Sequence, residues 1–386
     1  MKRSLTATNL AIYQHLNCDL YIHNIYNGAK GSAGTELSSS PSELTKAHYK
    51  RGLEWESVLY AWLDDSNLLL TVPQIPVEGD TLLENIFADD RNYFFIAGVT
   101  FWPPEAQLAE KFKESLSPPL HFGLAKPDLL EIRRTNDGIQ WRVIDAKASQ
   151  HVKVRDPALS LSERMTCSSP SKVSHHTQVY FYTLCLNFIL QSPHFRGQDS
   201  AGVWLPPKDG FHTDPPSLSD ISSISLPLLA PPLDTLLFRT LPRVVAQPRE
   251  SVKWHFNPLC QGCRFESGCK SRVLEEGQLG VMPNISIDDS RTLKDLLRMS
   301  RVTPPIPKPL ADIEELHNLF SNRHKLERLR KLSPSVVKKA NQILALPKKT
   351  CRNEETKRSP LVEAAREKTI LASSPLLKIN GFLTLS

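Results

Sequence analysis

The feature that most constrains this chain is a pair of β-prone runs joined by Asp-Gly. Lys126-Pro127-Asp128-Leu129-Leu130-Glu131-Ile132 leads through Asn136-Asp137-Gly138 into Trp141-Arg142-Val143-Ile144-Asp145-Ala146-Lys147. Asp-Gly between such runs is a strong hairpin signal, because both positions tolerate the positive φ of a tight turn. With Asp137 and Gly138 as a two-residue loop, the register opposes Asp128 to Lys147 and Leu130 to Asp145. Asp128, Asp145 and Lys147 then share one face, at the end of an apolar strip of Leu130, Ile132, Trp141 and Val143. Opposite and diagonal neighbours on one face stand roughly 5–8 Å apart. Two carboxylates so placed can hold one hard cation with an ammonium beside it. Such a cation would bind a phosphate oxygen and lower the pKa of a bound water, while Lys147 would steady developing negative charge. All-oxygen ligands favour Mg²⁺ or Mn²⁺. The plain alternative is a surface hairpin with ordinary charges, but charges at the end of an apolar strip are costly to bury without a metal or a partner.

Two helices are expected to flank the hairpin. Residues 42–63 carry a buried stripe of Trp55, Val58, Leu59, Trp62 and Leu63 at helical spacing. Glu54 and Glu56 lie on opposite shoulders of that stripe, each about 100° from its centre. Periodicity does not choose between them, and either can be a solvated glutamate. Residues 174–186 form the second helix, with His175, Gln178 and Tyr182 on one side through i+3 and i+4 spacing. A strip of this kind faces water, an active site or a nucleic-acid backbone. Strands are expected at 68–76, 93–101 and 201–205. A helix and a short extension are expected over 5–28 behind a Thr8 cap, and further helices at 103–116 and 233–245.

Seven cysteines are an odd number and too sparse for a secreted disulfide scaffold. Cys260, Cys263 and Cys269 cluster among aromatic neighbours and can wrap one metal centre. His255 would complete a zinc site, and Cys18 would supply the distant fourth thiolate of an iron–sulfur cluster. The cost of closing so long a loop grows only logarithmically with its length.

The chain has 386 residues, 40% of them hydrophobic, enough for one large domain and an appendage. A net charge of +6 is compatible with a polyanionic partner. No apolar run reaches the roughly 18 residues needed to span a bilayer, and no apolar signal segment follows Lys2-Arg3, so a soluble, intracellular protein without membrane contact is expected. Beyond Arg272, short helices are expected near 288–297, 313–320, 326–332 and 333–344, followed by a basic tail from 346.

In order along the chain, these motifs resemble the RecB-like branch of the PD-(D/E)XK nucleases, in its iron–sulfur subgroup. That subgroup includes the nuclease domain of the eukaryotic replication helicase–nuclease and the CRISPR-adaptation exonucleases. The resemblance covers about residues 5–275. It rests on Gly52-Leu53-Glu54-Trp55-Glu56 as a helix-borne Gly-x-x-x-Glu, Pro127-Asp128 with Asp145-Ala146-Lys147, Gln178-Val179-Tyr180-Phe181-Tyr182 as Gln-x-x-x-Tyr, and Cys18 with the Cys-x2-Cys-x5-Cys set at Cys260, Cys263 and Cys269.

The resemblance implies an α/β fold with a PD-(D/E)XK restriction-endonuclease-like core, a mixed sheet flanked by helices, and a C-terminal helical extension. It divides the chain into a nuclease domain with a cluster over 1–275, a helical appendage over 276–346 and a basic tail over 347–386. Glu56, Asp128, Asp145 and the Ala146 carbonyl would hold Mg²⁺ or Mn²⁺. Lys147 would act with Glu56, Asp128 and Asp145 in catalysis, and Gln178 and Tyr182 would position DNA. Cys18, Cys260, Cys263 and Cys269 would hold a [4Fe–4S] cluster, with Zn²⁺ as the alternative. The implied activity is metal-dependent hydrolysis of DNA, as single strands or ends, in replication, repair or recombination, in an intracellular, nuclear setting. No ATP-binding P-loop occurs, so a helicase would be absent or on another chain. A catalytically inactive or truncated nucleic-acid-binding module and a zinc-stabilised interaction scaffold are the alternatives.

Overall fold

The computed structural model describes residues 4–28, 43–111, 120–148, 173–207, 210–276 and Ser290. The helices expected at 288–344 and the basic tail lie outside these residues apart from Ser290, as do Cys167 and Cys351. The chain divides into two compact units, with the break between Lys253 and Trp254.

The central hairpin of the first unit is formed by β3 (Leu129–Thr135) and β4 (Gly138–Ala146). Its register departs from expectation. Leu129 pairs with Ile144, Leu130 with Val143 and Thr135 with Gly138, so the turn residues are Asn136 and Asp137. Neither turn residue takes a positive φ, whereas Gly138 has φ +122°. A Cβ on Gly138 would stand 2.8 Å from the His194 carbonyl oxygen, which accepts the Ile139 N–H at 2.8 Å. The glycine therefore admits a neighbouring segment rather than forming the turn. Continued by one residue, the register opposes Asp128 to Asp145, not to Lys147. The displacement is two residues, so the expected face is kept; a one-residue slip would have reversed it.

The sheet is mixed. Its order is β1 (Leu69–Thr71), β2 (Tyr93–Ala97), β3, β4, β6 (Ser200–Trp204), β7 (Ile221–Ser225), and β5 (Phe195–Gly197) also pairs with β4. β1 is parallel to β2, β2 to β4 run antiparallel in sequence, β5 and β6 lie parallel to β4, and β6 is antiparallel to β7. β4 thus has partners along its whole length, with β5 beside its start and β6 beside its end.

Alternation along the strands assigns the two faces. On one, Leu129, Ile144, Ala146, Phe95 and Trp204 pack against Trp55, Leu59 and Leu63 of α3 (Glu43–Asp65). Glu131 is fully buried on that face and is ion-paired with Arg133 at 2.7 Å and with Arg142. The other face carries Leu130, Ile132, Trp141 and Val143, all buried. Helix α6 (Val173–Ile189) packs against β4, β6 and α1 (Ala7–Leu16). Its residues Val179 to Leu186 are buried without exception. The result is an α/β arrangement, an open mixed sheet between helices.

Several expected elements are corrected in extent. The short extension expected after the N-terminal helix α1 is a second helix, α2 (Asp19–Asn27), set off by Asn17 in the left-handed region. The cap of α1 is Thr6, which exchanges hydrogen bonds with Asn9, and not Thr8. The strand at 68–76 is only β1, and that at 93–101 ends at Ala97. Helix α4 (Gly79–Ala88) has no counterpart in the sequence reading; α5 spans Glu105–Lys111, and the end of the helix expected at 103–116 lies outside the described residues. The helix expected at 233–245 begins earlier, as α7 (Leu226–Thr235), and passes through a π-helical stretch, Leu236–Thr240, into α8 (Leu241–Ala246). Pro242 has no N–H to offer the carbonyl four residues back, and a π-helical turn accommodates that loss.

In the second unit, Trp254 stacks beneath the Arg272 guanidinium, 5.3 Å from ring centroid to carbon, and α9 covers Glu266–Glu276. Among the described residues no helix is long and apolar enough to cross a membrane.

Candidate active site at the end of the central hairpin

Asp145 closes the polar end of β4. Its side chain is fully buried, its Oδ1 accepts no hydrogen bond, and its Oδ2 is ion-paired with the Lys147 Nζ at 2.7 Å. Asp128 stands opposite. Its Oδ2 accepts the Ala146 N–H at 2.7 Å and lies 3.8 Å from Lys147 Nζ. Ala146, expected to offer a carbonyl, here supplies the N–H that fixes Asp128.

Helix α3 brings the third carboxylate. Tyr60 donates its hydroxyl to the Asp128 carbonyl oxygen at 3.2 Å, which anchors this helix face to the start of β3. Glu56, one turn earlier on the same face, has its carboxyl pushed up to about 7 by burial and by Asp128, against the opposing effect of Lys147. Glu54 points elsewhere and meets Lys50 at 3.8 Å along the helix. The structure therefore sets Glu56 near Asp128 and Lys147, whereas Glu54 pairs with Lys50. Tyr60 was missing from the sequence reading, although its position four residues after Glu56 is the signal that would have found it.

Helix α6 supplies the remaining wall. Gln178 donates to the Tyr182 hydroxyl at 3.2 Å, and both residues are buried. Burial, followed by the negative charge of Asp145, raises the Tyr182 phenol. The polar strip of this helix accordingly faces the carboxylates rather than open water.

Charge is unbalanced at this point. Burial would lower the Lys147 ammonium, but Asp145 and Asp128 outweigh it and hold the group protonated. Burial also pushes the Asp145 carboxyl up, and Asp128 adds to that against the opposing charge of Lys147. Three carboxylates face one cation, and two of them bear the electrostatic cost. A buried carboxylate oxygen without a donor, beside an excess of negative charge, suits a hard divalent ion. Among the described residues, however, no three His, Cys, Asp or Glu side chains already stand as a metal-ligand group.

The cysteines fall in both units. Cys18 is the residue before α2 in the first unit. In the second, Cys260 and Cys263 share one turn, with the Cys263 N–H on the Cys260 carbonyl at 2.9 Å. Gly262 takes φ +81° between them and donates its N–H to Glu266 at 2.9 Å. Cys269 lies in the first turns of α9. Burial raises the Cys260 and Cys263 thiols, and each also feels Glu266. Among the described residues, Cys18, Cys185, Cys260, Cys263 and Cys269 are not joined in disulfides. Two soft donors within a single turn fit a thiolate-binding metal.

No protein-family model, curated protein or solved structure matches this chain.

Proposed function

We propose that this protein is a metal-dependent deoxyribonuclease built on a PD-(D/E)XK core of the RecB-like, iron–sulfur kind. The observation that carries the reading is the gathering of Glu56, Asp128, Asp145 and Lys147 at one end of the hairpin, with Glu56 pushed up to about 7 by burial and, after it, by Asp128. Glu56, Asp128, Asp145 and the Ala146 carbonyl would hold Mg²⁺ or Mn²⁺. When bound, such an ion polarises a phosphate oxygen and makes water a stronger nucleophile at neutral pH. The other roles belong to the chain. Lys147 stays protonated between the aspartates and faces the phosphate as a fixed positive charge, stabilising the negative charge that develops there. Ala146 N–H and Tyr60 keep Asp128 in place, and the Gln178–Tyr182 pair closes the wall beside Asp145. The substrate is DNA, as single strands or ends, in replication, repair or recombination. A helicase on a separate chain and a nuclear setting fit that activity.

Cys18, Cys260, Cys263 and Cys269 would hold a [4Fe–4S] cluster. One observation favours zinc instead: Cys260, Cys263, Cys269 and His255 all belong to the second unit. A brown protein absorbing broadly in the visible is the cluster form, and a colourless one is the zinc form.

The test of the activity is digestion of an end-labelled single-stranded oligodeoxynucleotide by anaerobically purified protein, with Mg²⁺ or with chelator. Mg²⁺-dependent shortening of the label is expected. Intact substrate under both conditions would leave a nucleic-acid-binding module without hydrolysis.

A further inference from the structure

Tyr49, Leu53, Glu56 and Tyr60 recur at intervals of four, three and four residues on α3, which places them on one helix face. The far end of that face is tied to the active site by Tyr60 and Glu56. Its near end is bare: Tyr49 is 70% exposed and Leu53 48%. Large apolar side chains in solvent, continuous with a charged site, are unusual unless something covers them.

Gly52 adds an independent observation. Glycine inside a helix is less stable than alanine, and it is usually retained where packing leaves no room. Here an added Cβ would meet no atom within 4 Å. Among the described residues, packing therefore gives no reason for glycine, one turn before Glu56. Gly52 is half-buried, and the open space beside it leaves room for an external chain to approach closely. Charge points the same way, since Lys46 and the Lys50 that pairs with Glu54 are exposed beside the stripe.

We propose that the first turns of α3 form a track for single-stranded DNA, with Tyr49 stacking on a base beside the scissile phosphate. Leu53 extends the platform, Gly52 admits the sugar–phosphate backbone, and Lys46 and Lys50 face the phosphates. Tyr49 lies seven residues from Glu56, about 10 Å along the axis at 1.5 Å per residue. Stacking on an aromatic ring is sequence-tolerant because every base has a π-face. Tyr49 is thus a positioning residue, and it selects unstacked strands over duplex. This rests on the nuclease reading for the position of the scissile bond, and the measurement below separates the two.

The probe is a fluorescein-labelled oligodeoxynucleotide, with affinity read by anisotropy without added divalent metal and cleavage read separately with Mg²⁺. Tyr49→Ala is expected to weaken binding at least about five-fold, the low end for loss of one base–aromatic stack. Tyr49→Phe should bind like the parent, because stacking does not need the hydroxyl. Gly52→Leu should weaken binding with no loss of thermal stability, which a folding role could not produce. An abasic site walked along the oligonucleotide should reduce parental affinity at one position, and Tyr49→Ala should be indifferent to it there. Unchanged affinity in Tyr49→Ala and Gly52→Leu, or no sensitive position in the parent, overturns the track even where the parent cleaves DNA. A parent that binds through Tyr49 but does not cleave keeps the track and removes the nuclease.

Discussion

Replacing Glu56 by Gln should stabilise the protein while disabling it. In the folded protein the Glu56 carboxyl is raised from 4.5 to about 7. A carboxyl raised on folding binds protons more tightly in the folded state, so its favourable contribution is complete below pH 4.5 and is lost as pH rises through 7. A shift of this size corresponds to about 3 kcal/mol at 1.36 kcal/mol per pH unit. Glu56 is half-buried, and solvent screening reduces the figure to about 1–2 kcal/mol. Gln carries no charge at any pH and avoids that loss. In chelator, Glu56→Gln should match the parent near pH 4.5. At pH 8 it should unfold higher, by roughly 2–8 °C for a domain of this size. Addition of Mg²⁺ should raise the parent's melting temperature, as any ligand of the folded state does, and should raise that of Glu56→Gln less. Glu54→Gln, which removes only an exposed partner of Lys50, should follow the parent throughout. Equal pH 8 stabilities for the parent and Glu56→Gln, or the same gain in Glu54→Gln, would refute the placement of Glu56 against Asp128.

Lys147→Met should cost stability as well as rate, because it leaves the fully buried Asp145 without its counter-ion; breaking such a pair costs about 3–5 kcal/mol. Chemical denaturation should show the Asp145→Asn/Lys147→Met double variant to be more stable than Lys147→Met alone. Tyr60→Phe removes one hydrogen bond to the Asp128 backbone, a loss of roughly 0.5–1.5 kcal/mol, and should raise the Mg²⁺ concentration for half-maximal cleavage a few-fold without abolishing it. Ser at Cys18, Cys260, Cys263 or Cys269 should remove iron and sulfide, whereas Cys185→Ala, in the buried core of α6, should leave both unchanged. Parental iron in Cys18→Ser would place the fourth ligand elsewhere.

The hairpin and the shared face of Asp128, Asp145 and Lys147 were legible in the sequence, because strand alternation depends only on local spacing. The register was not. Asp137-Gly138 carries a strong local turn signal, but Gly138 is committed to the approach of His194, a contact far away in sequence. The same limit hid β5 and β7: Phe195–Gly197 and the serine-rich Ile221–Ser225 are strands because β4 and β6 offer them partners, not through their own patterning. Glu54 and Glu56 were equivalent by helical period, since each stands on one shoulder of the Trp55 stripe. Only the direction in which α3 crosses the end of the sheet, held by Tyr60 on Asp128, distinguishes them. For Gln178 and Tyr182, helical spacing identified a polar strip but could not reveal that it is buried.

The most direct measurement of the central claim is the single-turnover rate of single-strand cleavage in saturating Mg²⁺ by the parent and by Asp145→Asn, with DNA affinity measured in parallel. Loss of an electrostatic stabiliser of the transition state typically costs about 10²–10³ in rate. A loss of that order with parental affinity is expected. Equal rates in the two proteins would show that the end of the central hairpin is not where phosphodiester bonds are cut.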